Sequence, residues 1–172
     1  TVIVHILIFL KKISAKGKKF NIPIICVGNI YIGGTGKTPT SIFLANRLEK
    51  MGRKPVILRK YYDSHVDEHG LIKSKFKNII LDKDRINGIN TSLKNNYDSV
   101  ILDDGFQDYA IKKDLNIICF NRNQLIGNGM VLPSGPLREG LNSLRRADII
   151  IINGDRSVEF ENKVLKINKN LQ

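Results

Sequence analysis

A glycine-rich segment at residues 28–39 constrains the fold of this chain more than any other feature of the sequence. The segment reads GNIYIGGTGKTP and joins an apolar run at residues 22–27 to a stretch with helical spacing of its apolar residues. Such a loop between a strand and a helix is typical of phosphate-binding P-loops, because glycines let successive backbone N–H groups point inward and the helix N-terminus adds partial positive charge. The sequence therefore predicts a strand, a P-loop and a helix in succession.

Two residues at the end of this loop carry the chemistry that a P-loop needs. Lys37 fits the lysine that neutralises phosphates, and Thr38 fits the hydroxyl residue that holds Mg²⁺. The strict pattern G-x-x-x-x-G-K-[ST] requires glycine at position 31, where this chain has Tyr31, so a glycine-rich turn with an incidental lysine is the alternative. We expect nucleotide binding by Tyr31, Ile32, Gly33, Gly34, Thr35, Gly36, Lys37 and Thr38.

The overall charge of the chain does not by itself indicate a nucleic-acid partner. The 172 residues carry a net charge of +12, which would suit a polyanion. However, the basic residues are scattered, except at 11–12 and 16–19, and no aromatic residues interleave with them to stack on bases. Abundant Lys, Asn and Ile with no Trp are also what AT-rich codons would produce, so we expect no nucleic-acid binding.

The first twenty residues form an apolar and basic N-terminal segment. Residues 2–10 are almost wholly apolar and lead into the lysine-rich stretch 11–19, as in an interfacial membrane anchor whose lysines contact anionic headgroups. The apolar run is too short to span a bilayer, and a first helix packed on the domain is an equal alternative. Cys26 and Cys119 lie in apolar runs, and we expect both to be buried thiols in a reducing compartment.

The remaining sequence predicts an α/β fold of the P-loop NTPase type. Apolar runs without polar alternation are separated by stretches of helical spacing, which predicts a mostly parallel sheet with helices on both faces. Residues 60–78 are polar and rich in turn formers, so no regular structure is predicted there. The predicted strands are 55–58, 78–81, 99–102, 115–120 and 147–152, and the predicted helices are 38–51, 85–96 and 138–146.

Charged residues follow several of the predicted strands, where ligands bind in open parallel sheets. Arg59 follows the second strand, and Asp103 and Asp104 follow an apolar strand in the manner of a Walker-B sequence, whose carboxylate holds Mg²⁺. Two aspartates in a solvated turn are the alternative interpretation. With a P-loop upstream, we expect Asp103 and Asp104 to lie beside Thr38.

Residues 65–69 allow two interpretations. Their sequence HVDEH matches the zinc-peptidase pattern H-x-x-E-H, with Glu139 as a distant third ligand. That zinc site requires both histidines on one face of a helix, but Gly70 and its polar neighbours do not favour a helix here. With a P-loop present, we interpret Asp67 and Glu68 instead as carboxylates in a loop over the phosphate site, one accepting a hydroxyl proton and the other supporting metal or substrate. From composition alone, a solvated loop is the stronger alternative.

Three motifs in ordered succession resemble the tetraacyldisaccharide 4'-kinase family of lipid A synthesis. They are the P-loop at residues 27–39, DDGFQ at 103–107, and GNG at 127–129 with LPSGPLRE at 132–139. The resemblance implies that ATP and Mg²⁺ are used to phosphorylate the 4'-hydroxyl of a tetraacylated glucosamine disaccharide 1-phosphate. It also implies a peripheral location at the cytoplasmic face of the bacterial inner membrane.

The resemblance implies roles for individual residues as well. It makes Asp67 the catalytic base with Glu68 beside it, and it places Arg85 against phosphate. The chain departs from the family pattern at several positions, including Val66, His69 and Asp108, where the family has Gly, Pro and His. The implied ligands of Mg²⁺ are Thr38, Asp103 and Asp104.

Family members are considerably longer than this chain. We therefore expect residues 1–20 to be the N-terminal segment and 21–172 the N-terminal kinase domain, with a C-terminal domain outside this chain.

The sequence leaves two other functions open. A truncated, catalytically inactive remnant that at most binds nucleotide is the first alternative. The second is a P-loop ATPase or GTPase switch, which would need a base-reading motif such as Asn-Lys-x-Asp. Asn153-Gly154-Asp155 matches that motif only weakly.

Overall fold

The computed structural model describes residues 17–62 and 66–172. Within those ranges six strands form a single sheet in the order β3-β2-β4-β1-β5-β6, and all neighbouring strands are parallel. The elements in chain order are β1 (Ile24–Gly28), α1 (Lys37–Lys50), β2 (Pro55–Lys60), α2 (Val66–Lys75), β3 (Ile79–Asp82), α3 (Arg85–Lys94), β4 (Ser99–Asp103), β5 (Leu115–Asn121), a 3₁₀ helix (Leu141–Arg146), β6 (Ile149–Asn153) and α4 (Val158–Ile167).

Helices cover both faces of this sheet, as the continuous apolar strands predict. On one face Ala45 of α1 and Ile72 of α2 pack with Ile57 and Ile101 from the strands. On the other face the core includes α3, through Ile89, and α4, through Phe160 and Val164, packed against alternate strand residues. Fully burying each such side chain contributes about 1.5–3 kcal/mol, so the two-sided core supplies most of the driving force for this fold.

The two cysteines lie in these cores as free thiols, as predicted. Cys26 on β1 and Cys119 on β5 are both fully buried. Burial raises the pKa of the Cys26 thiol to about 12, so it stays protonated and acts as a small apolar residue. None of the helices in the described ranges is long and apolar enough to cross a membrane.

The sequence left residues 60–78 without an assigned structure, and α2 occupies Val66–Lys75. The expected loop at Asp67 and Glu68 is therefore wrong, because both residues belong to this helix. Its sequence has weak helical periodicity, but Ile72 and Phe76 are buried against the core face that α1 also covers. Tertiary packing therefore stabilises a helix that local propensity does not favour. The same helix contradicts the expectation of a poor helix after residue 65, while His65 itself lies outside the described residues.

Two predictions near the C-terminal end also need correction. The helix predicted at 138–146 is only a 3₁₀ helix over Leu141–Arg146, because residue 137 bridges Tyr31 and holds the preceding backbone extended. The helices predicted from the sequence end at residue 146, yet α4 lies beyond that point and packs Phe160 and Val164 into the core. Of the N-terminal segment, residues 1–16 lie outside the described residues, so its membrane contact stays a prediction.

Candidate functional site

A cleft of about 460 Å³ opens at the carboxyl edge of the sheet. Four parts of the chain form it, namely the P-loop with the start of α1, the end of β2, the end of β4, and the segment that carries Arg138. A second cavity of the same size lies between β6 and α4 and is mostly apolar, without the concentration of charge found at the first. The lining residues of the first cleft are Gly33, Gly34, Thr35, Gly36, Lys37, Thr38, Pro39, Arg59, Asp104 and Arg138.

Side-chain amides hold the P-loop in shape from its outer side. Asn29 Nδ2 donates to Tyr31 O at 2.6 Å and to Thr35 Oγ1 at 3.0 Å. Asn153 Nδ2 donates to Thr35 O at 2.5 Å, and Asn121 Nδ2 donates to Gly34 O at 3.4 Å. Because these amides engage loop carbonyls and a hydroxyl, the loop is arranged before any ligand binds.

Sequence reasoning missed these asparagines, although a signal for two of them exists. Asn121 and Asn153 end the adjacent strands β5 and β6 and face each other in register. A polar residue that ends an apolar strand at the carboxyl edge is a candidate for the site in an open parallel sheet. Asn29 has the equivalent position immediately after β1.

The buried side of the cleft contains an inner cluster, defined here as Thr38, Ser41, Arg59 and Asp103. Asp103 is 0% exposed and accepts hydrogen bonds from Thr38 Oγ1 at 3.1 Å and from Ser41 Oγ at 3.0 Å. Arg59 Nη1 lies 2.9 Å from Asp103 Oδ2 and 3.2 Å from Thr38 Oγ1. Burial raises the pKa of Asp103, and the Arg59 guanidinium and the two hydroxyls partly offset that effect.

The solvent side of the cleft contains an outer cluster, defined as Lys37, Asp104 and Arg138. Arg138 Nη1 lies 2.9 Å and 3.0 Å from the two Asp104 carboxylate oxygens, and Lys37 Nζ lies 3.8 Å from Oδ1. Burial acts to raise the pKa of Asp104, but Lys37 and Arg138 outweigh it and hold the pKa below its usual value. This arrangement keeps an anion flanked by two cations at the mouth of the cleft.

Arg85, which the resemblance places against phosphate, lies behind the two aspartates in this structure. Its guanidinium is 9% exposed, and Nη2 donates to Asp104 O at 2.7 Å. Nη1 lies 3.4 Å from Asp108 Oδ2, the position at which the chain departs from the family pattern. Asp104 has a left-handed backbone, with φ 60°, so Arg85 supports a conformation that a non-glycine residue adopts rarely. Its contact with phosphate stays a prediction.

The other predicted site residues fall in two places. Tyr31 and Ile32 lie at the beginning of the loop, where Ile32 N donates to Pro136 O at 2.9 Å, and residues 33–38 line the cleft. Asp67 and Glu68 lie near the start of α2, but their side chains are outside what the structure describes. Their catalytic roles therefore stay predictions. Ser41 and Arg138 were missed as site residues, because only their tertiary neighbours identify them.

Comparison with known families gives one model that covers nearly the whole chain. Residues 2–171 match the model of LpxK, described as tetraacyldisaccharide-1-P 4'-kinase. The tetraacyldisaccharide 4'-kinase of Pelagibacter ubique is 40% identical over 170 residues, which cover 96% of this chain and 54% of that protein. The enzyme of Shewanella halifaxensis is 35% identical over 164 residues, covering 85% and 50% respectively. The chain thus spans about half the length of the curated relatives it matches.

Solved structures agree with the sequence comparison. LpxK from Aquifex aeolicus, described as an "apo" form in complex with ATP, has a TM-score of 0.76 and 30% identity over 88% of this chain and 55% of that one. The signal recognition particle 54 kDa protein of Aeropyrum pernix, in complex with GDP, has a TM-score of 0.60 but only 14% identity. This second match covers 96% of this chain and 44% of that protein, and at such low identity it shows the shared P-loop NTPase fold alone.

Proposed function

The chain belongs to the tetraacyldisaccharide-1-P 4'-kinase family, and on that basis we propose that it forms the nucleotide-binding part of this kinase. The enzyme transfers the γ-phosphate of ATP to the 4'-hydroxyl of a tetraacylated glucosamine disaccharide 1-phosphate in lipid A biosynthesis. The observation that carries the proposal is the convergence of Lys37, Thr38 and Asp103 at one cleft, although Asp103 lies far from the loop in sequence.

The cleft offers an electrostatic environment suited to a polyphosphate. The P-loop and the first turn of α1 present backbone N–H groups, and α1 has no acidic residue in its first turn to oppose an anion. Lys37 and Arg138 add two cations at the cleft. In phosphoryl transfer, positioning and charge stabilisation supply most of the catalysis. The backbone N–H groups, Lys37 and Arg138 are the groups that would position the phosphates and stabilise their charge in the nucleotide-binding part of the kinase.

The oxygen donors of the inner cluster fit Mg²⁺, which prefers carboxylate and hydroxyl oxygens together with phosphate oxygens. Thr38 Oγ1 and Asp103 Oδ2 lie 3.1 Å apart, and Asp104 is the adjacent carboxylate. Both oxygens contact Arg59 Nη1, so an ion held by Thr38 and Asp103 requires the guanidinium to move away from them. We propose that Thr38, Asp103 and Asp104 hold it. When bound, Mg²⁺ neutralises charge that develops on the phosphates during transfer. Arg59 and Ser41 keep the Asp103 carboxylate oriented toward Thr38.

The acceptor hydroxyl needs a proton acceptor, and we propose Asp67 for this role, with Glu68 beside it. Support comes from position, since α2 follows β2 at the same carboxyl edge on which Arg59 lies. A carboxylate placed there can accept the hydroxyl proton as the hydroxyl oxygen attacks the γ-phosphorus and the bond from that phosphorus to the bridging oxygen of ADP breaks. We propose that Arg85 assists indirectly, through the backbone of Asp104.

We further propose that the protein works at the cytoplasmic face of the inner membrane, where its lipid substrate resides. The apolar and basic composition of residues 1–20 supports contact with the bilayer surface. Residues 21–172 would then form the P-loop domain, with the second half found in the relatives completing the substrate cleft. Because Val66, His69 and Asp108 depart from the residues that the family has at these positions, an inactive remnant that binds nucleotide is the second candidate function.

Transfer of ³²P from labelled ATP to the disaccharide lipid tests this function directly. Lys37→Ala should lower the rate about 10²–10³-fold, as does removal of a group that stabilises transition-state charge. Lys50→Ala, at the exposed far end of the same helix, is the matched control and should leave the rate unchanged. Equal labelling by wild type and Lys37→Ala would refute the kinase, while binding of a fluorescent ATP analogue without any transfer would favour the inactive remnant.

A further inference from the structure

Glu139 is a buried carboxylate that lies next to the cleft but does not line it. Its side chain is 2% exposed, and Oε2 accepts hydrogen bonds from the Tyr109 hydroxyl at 2.5 Å and from Arg146 Nη2 at 2.6 Å. The preceding residue, Arg138, points the other way and binds Asp104 at the mouth of the cleft. Adjacent residues thus connect two charged sites on opposite sides of one backbone segment.

The partners of Glu139 connect it to the loop that carries the aspartates. Arg146 Nη1 donates to Phe106 O at 3.2 Å, and its guanidinium lies 4.1 Å from the centre of the Phe106 ring and 4.6 Å from that of Tyr109. Phe106 and Tyr109 follow Asp104 closely in sequence. Such cation–π contacts stabilise the Arg146 guanidinium in its place between the two rings. Burial and the neighbouring Glu139 raise the pKa of Tyr109, so its hydroxyl stays protonated and donates to Glu139.

The backbone around Arg138 is tied to the P-loop on its other side. Arg138 N donates to Ile30 O at 2.7 Å, Ile32 N donates to Pro136 O, and Tyr31 bridges Leu137 in antiparallel fashion. The P-loop, the Arg138 segment and the aspartate loop are therefore joined in series. A shift of the Glu139 anchor would move the Arg138 backbone and, with it, the guanidinium across the cleft.

We propose that Glu139 is a positioning residue, whose buried contacts with Arg146 and Tyr109 set the place of the Arg138 guanidinium and so the affinity of the cleft for a nucleoside polyphosphate. This rests on the proposed function for the identity of the ligand. A purely structural role would lower stability whether or not Arg138 is present. A positioning role predicts that the effect on affinity vanishes once Arg138 is removed.

The test is a double-mutant cycle on binding of a fluorescent ATP analogue with Mg²⁺. Glu139→Gln should weaken binding about 5–10-fold, because the charge that anchors Arg146 is lost while the side-chain size is kept. Arg138→Ala should weaken it about tenfold or more, and adding Glu139→Gln to Arg138→Ala should cause no further loss. Glu161→Gln on α4, which breaks the ion pair with Arg156, is the matched control and should bind like wild type.

Several results would overturn the proposal. Additive losses in the double variant, or unchanged affinity in a destabilised Glu139→Gln protein, would show that Glu139 acts only on stability. If Glu139→Gln does not fold, Tyr109→Phe takes its place in the same cycle, with an expected loss of about twofold to threefold that again disappears without Arg138. Failure of wild type itself to bind the analogue would instead refute the proposed function, which separates the two conclusions.

Discussion

Asp103 and Asp104 are adjacent in sequence, yet they belong to two regions of the cleft with different physical properties. Asp103 belongs to the inner cluster, is fully buried and interacts with Thr38, Ser41 and Arg59. Asp104 belongs to the outer cluster, where its side chain is 31% exposed. Burial raises the pKa of Asp103, whereas the neighbouring cations lower that of Asp104.

This difference indicates a division of labour between the two clusters. Removing a charge from a buried, fully hydrogen-bonded group leaves its partners without compensation, so the inner cluster is rigid and costly to alter. Charges near water are screened and can rearrange at lower cost, so the outer cluster can exchange partners when an anion enters. The inner cluster therefore sets geometry, and the outer cluster supplies adjustable charge.

The largest expected effect comes from Asp103→Ala. Removing this carboxylate leaves the Arg59 guanidinium with one buried ionic contact fewer, and we expect the free energy of unfolding to fall by about 3–5 kcal/mol. Urea denaturation followed by circular dichroism measures it. Asp104→Asn, which tolerates the left-handed backbone at this position, should cost no more than about 1 kcal/mol, because the ion pairs of Asp104 are partly solvated. Equal losses for the two variants would contradict the division into inner and outer clusters. Asp155→Ala, at an exposed position, is the control and gives the change in unfolding free energy for loss of a surface carboxylate.

An intermediate effect is expected from Thr38→Val, which keeps the shape of the side chain but removes its hydroxyl. Asp103 then loses one hydrogen-bond donor and Arg59 loses one acceptor, at an expected cost of about 1–2 kcal/mol in unfolding free energy. The variant should also lose the dependence of nucleotide affinity on Mg²⁺. Thr91→Val, at an exposed position on α3, is the matched control. Mg²⁺ dependence equal to that of wild type would rule out Thr38 as a ligand.

The smallest effect is a pH dependence carried by Asp104. Its pKa is lower in the folded protein, so it contributes stability at pH values above the unfolded-state pKa of about 3.9, and this contribution is lost as pH falls through the folded pKa. Wild type should exceed Asp104→Asn in unfolding free energy by about 1 kcal/mol at pH 7, with the difference shrinking toward zero at low pH. A difference independent of pH would contradict the ion-pair explanation.

Sequence reasoning located the parts of the site that depend on local patterns. The P-loop lies between β1 and α1 as predicted, and Asp103 and Asp104 follow β4. Apolar runs and glycine spacing are local properties, so they can be recognised without a fold. The helix α2 could not be predicted in the same way, because burial of Ile72 and Phe76 stabilises it rather than its own periodicity.

The amino-acid sequence by itself determined the parallel α/β architecture, the phosphate loop and, through three motifs, the family. Only the tertiary structure decided which charges meet, since Arg59, Asp103 and Thr38 come from separate elements that sheet pairing brings together. It also decided that Arg138 faces the cleft while Glu139 faces the core. The physical reason is that patterns encode which residues are buried, whereas ion pairs and pKa shifts depend on distances that arise only after the sheet has formed.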